Sequence, residues 1–138
     1  MLDGGRALAI PERPGNRRAD TFRNVLRNPK VGLIFLVPGK AETLRVSGTA
    51  TIVRDAALRE SMAPGGKVPE LALVVWVREA FVHCTKCVVR SHLWEPEHWP
   101  SLDGVPSLAE MMVTHGRLAD TVAEMQAVID NDASTRLY

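Results

Sequence analysis

Two consecutive arginines, Arg17 and Arg18, lie in a turn rich in Pro and Gly directly before a predicted short helix. Asn16 precedes them, and the helix is expected to begin near Asp20 or Thr21. The first N–H groups of a helix lack backbone partners and lie at the positive end of its dipole, so they attract anions. Guanidinium groups make bidentate contacts to phosphate. The turn therefore predicts a phosphate-binding site, and the alternative interpretation is a solvated basic turn.

Further candidate ligand contacts occur on a predicted strand and on a helical segment. Thr43 and Arg45 alternate along the strand, so their side chains share one face and could line a pocket. Lys86, Arg90 and Trp94 recur at intervals of four residues, which is the spacing of one helical face. These three residues either contact a bound ligand or form a solvated face with a packed tryptophan.

A His- and Cys-containing segment follows the longest predicted strand. Zinc ligation by His83, Cys84, Cys87 and His92 is one interpretation. Adjacent strand residues point to opposite faces, however, which disfavours joint ligation by the first two. The alternatives are a CxxC redox motif, a cysteine near a bound ligand, and ordinary packing, which we favour. We therefore predict no metal site.

Composition excludes several functional classes. The chain has 138 residues, of which 46% are apolar, and a net charge of +1. This charge provides no basic field for nucleic acid, and no apolar run approaches the roughly 20 residues that span a bilayer. The N-terminus lacks a signal-peptide pattern, and two cysteines build no disulfide framework. We therefore expect a cytoplasmic protein with neither nucleic-acid nor membrane partners.

Apolar patterning predicts an antiparallel β architecture. Residues 31–37 are continuously apolar, which is typical of a strand buried on both faces. From Thr43 to Arg54 apolar and polar residues alternate, which indicates a half-buried strand, and Gly48 suits a bend or bulge. A short strand is predicted at residues 7–10. A long strand is predicted at residues 70–84, with a bulge or corner at Arg78 and Glu79.

Helical periodicity predicts short helices between the strands and one terminal helix. The short helices are expected at residues 20–27, 55–62 and 86–93. Ser107 and Glu110 have the spacing of a capping box that opens the terminal helix. Its apolar stripe reaches Ile129 and indicates core or dimer packing.

The order of these blocks resembles the pyridoxamine 5'-phosphate oxidase-like flavin-binding split barrels. The closest similarity is to a bacterial subgroup of flavin-dependent enzymes in which several motifs recur from about Leu8 to Trp99. The matching residues are PERPGN at 11–16, Asn28-Pro29, TLRVSG at 43–48, and Phe81, His83, Cys84, Lys86, Arg90, Ser91, Leu93 and Trp94.

The resemblance implies a mainly β fold, an antiparallel FMN-binding split barrel with short helices and a C-terminal helix. Residues 1–100 would form the barrel, and residues 101–138 a helical segment packed on the same domain. Family members usually carry a further N-terminal segment, so the first barrel strands are expected to be missing from this chain.

The resemblance also implies a cofactor and a partner. The chain would bind FMN at a homodimer interface and act as an oxidoreductase on an unknown small molecule, with no catalytic side chain identified. The alternative is a non-enzymatic flavin or phosphorylated-ligand binding module, or a degenerate family member. The expected cofactor-binding residues are Asn16, Arg17, Arg18, Thr43, Arg45, Lys86, Arg90 and Trp94.

Overall fold

The computed structural model describes residues 1–15 and 18–136. The chain divides into two compact units, Met1–Trp99 and Pro100–Tyr138. Packing of the C-terminal segment on the barrel domain stays a prediction. None of the described helices is long and apolar enough to cross a membrane.

The first unit is built on a four-stranded antiparallel sheet with the strand order β1-β4-β3-β2. This sheet, with short helices between its strands, confirms the predicted antiparallel split-barrel class. All four predicted strands are present, with bounds shifted by at most two residues. The strands are β1 (Ala7–Pro11), β2 (Lys30–Leu36), β3 (Thr43–Val53) and β4 (Ala72–His83).

One face of the sheet carries the core of this unit. Val25 packs there with Ala50, Leu73 and Val75, and all four side chains are buried. Val25 belongs to helix α1 (Asp20–Arg27), whose bounds match the prediction. Helix α1 therefore covers the core face of β3, and the side chains that alternate with Ala50 point to the opposite face.

The prediction that the strand at 31–37 is buried on both faces was wrong. β2 is an edge strand that pairs with β3 alone among the described strands. Ile34 is 61% exposed, and Leu36 is 50% exposed. A continuous apolar run identifies a strand, but it does not reveal whether neighbouring elements cover that strand.

The predicted bulge occurs where β3 and β4 bend together. Ser47 pairs with Glu79 and Gly48 pairs with Val77, so Arg78 is an extra residue on β4. A Cβ atom at position 48 would overlap the carbonyl oxygen of Trp76. Only glycine allows the two backbones to approach this closely.

Two further short helices belong to the first unit. They are α2 (Ala56–Glu60) and α3 (Lys86–Arg90), both shorter than predicted. The Asp55 side chain accepts a hydrogen bond of 2.8 Å from the Leu58 N–H and so caps the start of α2.

The second unit contains two helices where one was predicted. They are α4 (Leu108–Gly116) and α5 (Val122–Thr135). Arg117 ends α4 in a left-handed conformation, with φ of 50°. Ser107 and Glu110 form the predicted capping box, and Thr121 and Glu124 form a second one that opens α5. This second box explains the break, because it starts a new helix inside the apolar stripe.

Candidate functional site

Among the residues that the structure describes, three buried polar atoms at one end of the sheet have no hydrogen-bond partner. They are Oγ1 of Thr43, Nε of Arg45 and Nδ1 of His83. Thr43 pairs with His83 across β3 and β4, and Arg45 is two residues further along β3. The side chain of Thr43 is deeply buried, since the residue is only 4% exposed. An unpaired buried polar atom is costly, so these three atoms indicate a place where a ligand or partner supplies hydrogen bonds.

An open cleft of about 310 Å³ lies beside Arg45. This volume is at the lower end of the range of small-molecule pockets. Its lining combines apolar side chains with a guanidinium, a hydroxyl and a carboxylate. The lining residues are Gly32, Leu33, Ile34, Arg45, Val46, Ser47, Glu79 and Phe81.

The two expected pocket residues of β3 are therefore found on one face, as their alternation predicted. That face is opposite to the one on which Ala50 packs against Val25 of α1. His83, which pairs with Thr43, was not expected among the ligand-binding residues of this face. Its position two residues after Phe81 on a strand is the signal that could have found it, because the two side chains share a face. The ring centroids of Phe81 and His83 are 6.2 Å apart, and the rings meet edge to face.

The expected phosphate turn is described in part. Asn16 and Arg17 lie outside the described residues, so their assignment stays a prediction. Nε of Arg18 is 3.0 Å from Oδ2 of Asp20, and both side chains are largely exposed. The carboxylate of Asp20 therefore competes with an anion for this guanidinium. Residue 19, at the N-cap of α1, is an alanine, which provides no side-chain cap.

Arg13, which precedes the turn, serves a structural role. Its guanidinium donates a hydrogen bond of 2.7 Å to the carbonyl oxygen of Met62 and one of 3.5 Å to that of Lys67. These bonds fasten the segment between α2 and β4 to the segment that leaves β1.

Lys86, Arg90 and Trp94 do not form one helical face. Helix α3 ends at Arg90, and His92 has a φ of 49°, which interrupts the helix before Trp94. Lys86 and Arg90 are exposed on α3, whereas Trp94 is half-buried. The indole N–H of Trp94 donates a hydrogen bond of 2.7 Å to the carbonyl oxygen of Lys40. Trp94 therefore ties this segment to the turn between β2 and β3.

Comparison with known proteins identifies the family. The sequence model of the family described as pyridoxamine 5'-phosphate oxidase matches residues 1–84, which is more than half of the chain. The chain belongs to the pyridoxamine 5'-phosphate oxidase family. The matched residues include all four strands and the Thr43, Arg45 and His83 positions. No curated protein sequence matches the chain.

Solved structures of HupZ from Group A Streptococcus are similar to this pyridoxamine 5'-phosphate oxidase family member. The tagged protein has 21% identity and a TM-score of 0.47, over 59% of this chain and 66% of that chain. A substituted form of it has the same identity and TM-score, over 60% of this chain and 70% of that chain. The match to the tagged protein thus spans just under two thirds of that protein's length. The family assignment depends on the match to the family sequence model and not on these structures.

The two cysteines of this chain are not packed in the core of the first unit, contrary to the interpretation that we favoured. Cys84 and Cys87 are free thiols, and both are exposed. The zinc set considered and disfavoured in the sequence analysis is not brought together in the described part of the chain. The cluster of potential metal ligands found there consists of His92, Glu95 and His98, and it shares one residue with that set.

Proposed function

We propose that this chain binds FMN non-covalently and acts as a flavin-dependent oxidoreductase on a small molecule. The observation that carries the proposal is the row of unpaired buried polar atoms beside the cleft, on the strands that the family match includes. A flavin is a flat apolar ring edged with hydrogen-bond donors and acceptors. Such a ring suits a site with exposed apolar side chains next to unpaired polar atoms.

The donor set of the site fits this cofactor. The Arg45 guanidinium is a donor only, whereas the Thr43 hydroxyl and the His83 imidazole can each donate or accept. Together they can pair with the carbonyl oxygens and the N–H of an isoalloxazine ring. Ile34 and Phe81, which are Arg45's neighbours on β2 and β4, offer apolar surface to the ring. Asn16, Arg17 and Arg18 are proposed to hold the phosphate.

The protein's part in the reaction is binding, orientation and exclusion of water. FMN, when bound, supplies the hydride or electron transfer. Burial of the Thr43 hydroxyl and of Arg45 Nε keeps these groups away from water, which strengthens their hydrogen bonds to a ligand. Glu79 lines the same cleft and adds a carboxylate to its wall.

We further propose that the chain works as a homodimer with the flavin at the interface, and that it is cytoplasmic. The exposed apolar side chains of β2 support the dimer. By strand alternation the cleft and helix α1 lie on opposite faces of β3. A second copy would therefore allow the phosphate turn of one chain to approach the cleft of the other.

The test is Thr43→Val, with Thr51→Val as the matched control. Thr51 is exposed on the same strand. Thr43→Val should weaken FMN binding by about 0.5–1.5 kcal/mol, the typical net contribution of a hydrogen bond. It should leave the flavin-free protein as stable or more stable, because the change removes an unpaired buried hydroxyl. Fluorescence titration with FMN and urea unfolding measure the two effects.

The outcomes separate the possible roles of this site. Riboflavin, which lacks the phosphate, should bind more weakly than FMN to the unchanged protein. A colourless preparation that takes up no added FMN would refute the proposal. Equal FMN affinity in Thr43→Val and Thr51→Val would show that the flavin does not bind at Thr43.

A further inference from the structure

Three side chains that commonly bind metals converge in the segment after α3. His92, Glu95 and His98 follow one another at intervals of three residues, and their ligand atoms lie within 4.8 Å of one another. Nδ1 of His92 is 3.0 Å from Oε2 of Glu95, and Nε2 of His98 is 3.8 Å from the same oxygen. The two imidazole rings are stacked, with centroids 4.6 Å apart and planes 9° apart.

The backbone of this segment is fastened in the conformation that brings these side chains together. The carbonyl oxygen of His92 accepts hydrogen bonds from the N–H of Glu95, at 2.9 Å, and from the indole N–H of Trp99, at 2.7 Å. Residues Pro96–His98 form a single 3-10 turn, in which proline restricts the backbone. Both ends of the cluster are therefore positioned before any ligand binds.

His92 has a backbone conformation that non-glycine residues rarely adopt, with φ of 49°. This conformation turns the chain after α3 so that its imidazole faces Glu95. Strained backbone conformations concentrate at binding sites, where the surrounding structure maintains them. The two tryptophan indoles supply that support here, through Lys40 and through His92 itself.

Two imidazoles and one carboxylate form a ligand set that suits divalent transition metals, Zn²⁺ in particular. Metal–ligand bonds of about 2.0–2.2 Å require neighbouring ligand atoms to be roughly 3–3.5 Å apart. The pair His92–Glu95 already has this separation, and Nε2 of His98 is 3.8 Å from the same carboxylate oxygen. About half of each side chain is exposed, which leaves room for water as a fourth ligand.

A plain ion pair explains the cluster less well. An exposed His–Glu pair contributes little to stability. A metal ion needs both rings neutral and the carboxylate ionised, and it lies in the plane of each imidazole that binds it. One of the two parallel rings therefore has to rotate when the ion binds.

We propose that His92, Glu95 and His98 form a binding site for a divalent transition metal, with Zn²⁺ as the ion that fits best. None of the three residues lines the cleft beside Arg45. The ion would link His92, two residues after α3, to the end of the 3-10 turn. It would so rigidify the segment that Trp94 ties to the turn between β2 and β3. The proposal does not depend on flavin binding.

Isothermal titration of the full-length, untagged protein with ZnCl₂, after removal of metals by EDTA, tests the site. One Zn²⁺ should bind per chain, and His98→Ala and Glu95→Gln should each weaken its affinity at least tenfold. His115→Ala is the matched control, since His115 is exposed on α4, and its affinity should equal that of the unchanged protein. Absence of Zn²⁺ binding, or equal affinity in His98→Ala and His115→Ala, would refute the site.

The exposed thiols need a separate control, because cysteine thiolates are common Zn²⁺ ligands. The variant with Cys84→Ser and Cys87→Ser should retain the one-to-one binding. The Co²⁺ complex of the unchanged protein should lack a thiolate-to-metal charge-transfer band. Loss of binding in the serine variant, or a strong thiolate band, would assign the metal to the cysteines and overturn the proposal.

Discussion

At the scale of single residues, the start of β3 and the paired end of β4 carry buried polar groups that do not stabilise the fold. Each unpaired buried donor or acceptor costs about 1–3 kcal/mol relative to a paired one. Thr43, Arg45 and His83 bear such atoms within one patch of two adjacent strands. A valine at position 43 would fill the same space without that cost. The hydroxyl is therefore better explained by binding than by folding.

Gly48 is required by the close approach of two backbones at the bulge. The change Gly48→Ala places a Cβ atom against the Trp76 carbonyl oxygen, and backbone cannot move away as a flexible side chain can. We expect destabilisation of about 1–3 kcal/mol or more, the usual effect of overpacking. Gly32→Ala is the control, because a Cβ atom at position 32 meets nothing within 4 Å. Urea unfolding measures both, and equal midpoints would contradict the close approach.

At the scale of elements, the two capping boxes determine where α4 and α5 begin. Oε2 of Glu110 accepts a hydrogen bond of 2.6 Å from the Ser107 N–H, and Oε2 of Glu124 accepts one of 2.8 Å from the Thr121 N–H. These backbone hydrogen bonds, together with those from the cap hydroxyls, lower the pKa of both carboxyls below the ordinary value of 4.5. Both groups are therefore carboxylates at neutral pH, and in that form they accept the hydrogen bonds that cap the two helices.

Low pH should reduce the stability of the N-termini of α4 and α5. Because the folded-state pKa is lowered, the stabilisation is fully present above the unfolded value of 4.5 and is lost as pH falls through the lower folded value. Ser107→Ala should raise the pKa of Glu110 and leave that of Glu124 unchanged, and it should cost about 1 kcal/mol of helix stability. Carboxyl NMR titration of both residues measures this. A Glu110 midpoint that does not rise in the variant would show that the box contributes nothing.

The elements also show what the sequence could predict. Alternation, caps and turn residues predicted the strands, α1 and the bulge, because each depends on residues close together in the chain. The edge position of β2 and the partners of Thr43 depend on which distant segments meet, which periodicity does not report. The break between α4 and α5 could have been predicted, since Thr121 and Glu124 have the spacing of a capping box. The apolar stripe across that region obscured it.

At the scale of the whole molecule, one edge and one end of the sheet present apolar side chains to solvent. Ile34 and Leu36 belong to the edge strand, and Phe81 lies on the same face two strands away. The edge strand begins with Lys30 and carries no other charge and no proline, the features that usually prevent edge-to-edge association. Exposed apolar surface of this kind marks an interaction site.

We therefore expect the protein to sediment as a dimer and the change Ile34→Glu to yield monomers. The glutamate would place a charge in the proposed interface, and removing it from water there is costly. Val128→Glu is the control, since Val128 is 60% exposed on α5 and matches Ile34 in exposure. Analytical ultracentrifugation at several concentrations should show a dimer for the unchanged protein and for Val128→Glu. A monomeric unchanged protein, or a dimeric Ile34→Glu, would contradict association through β2. Ile34→Glu should also lose FMN, because Ile34 is proposed to contact the ring and the second copy is proposed to complete the site.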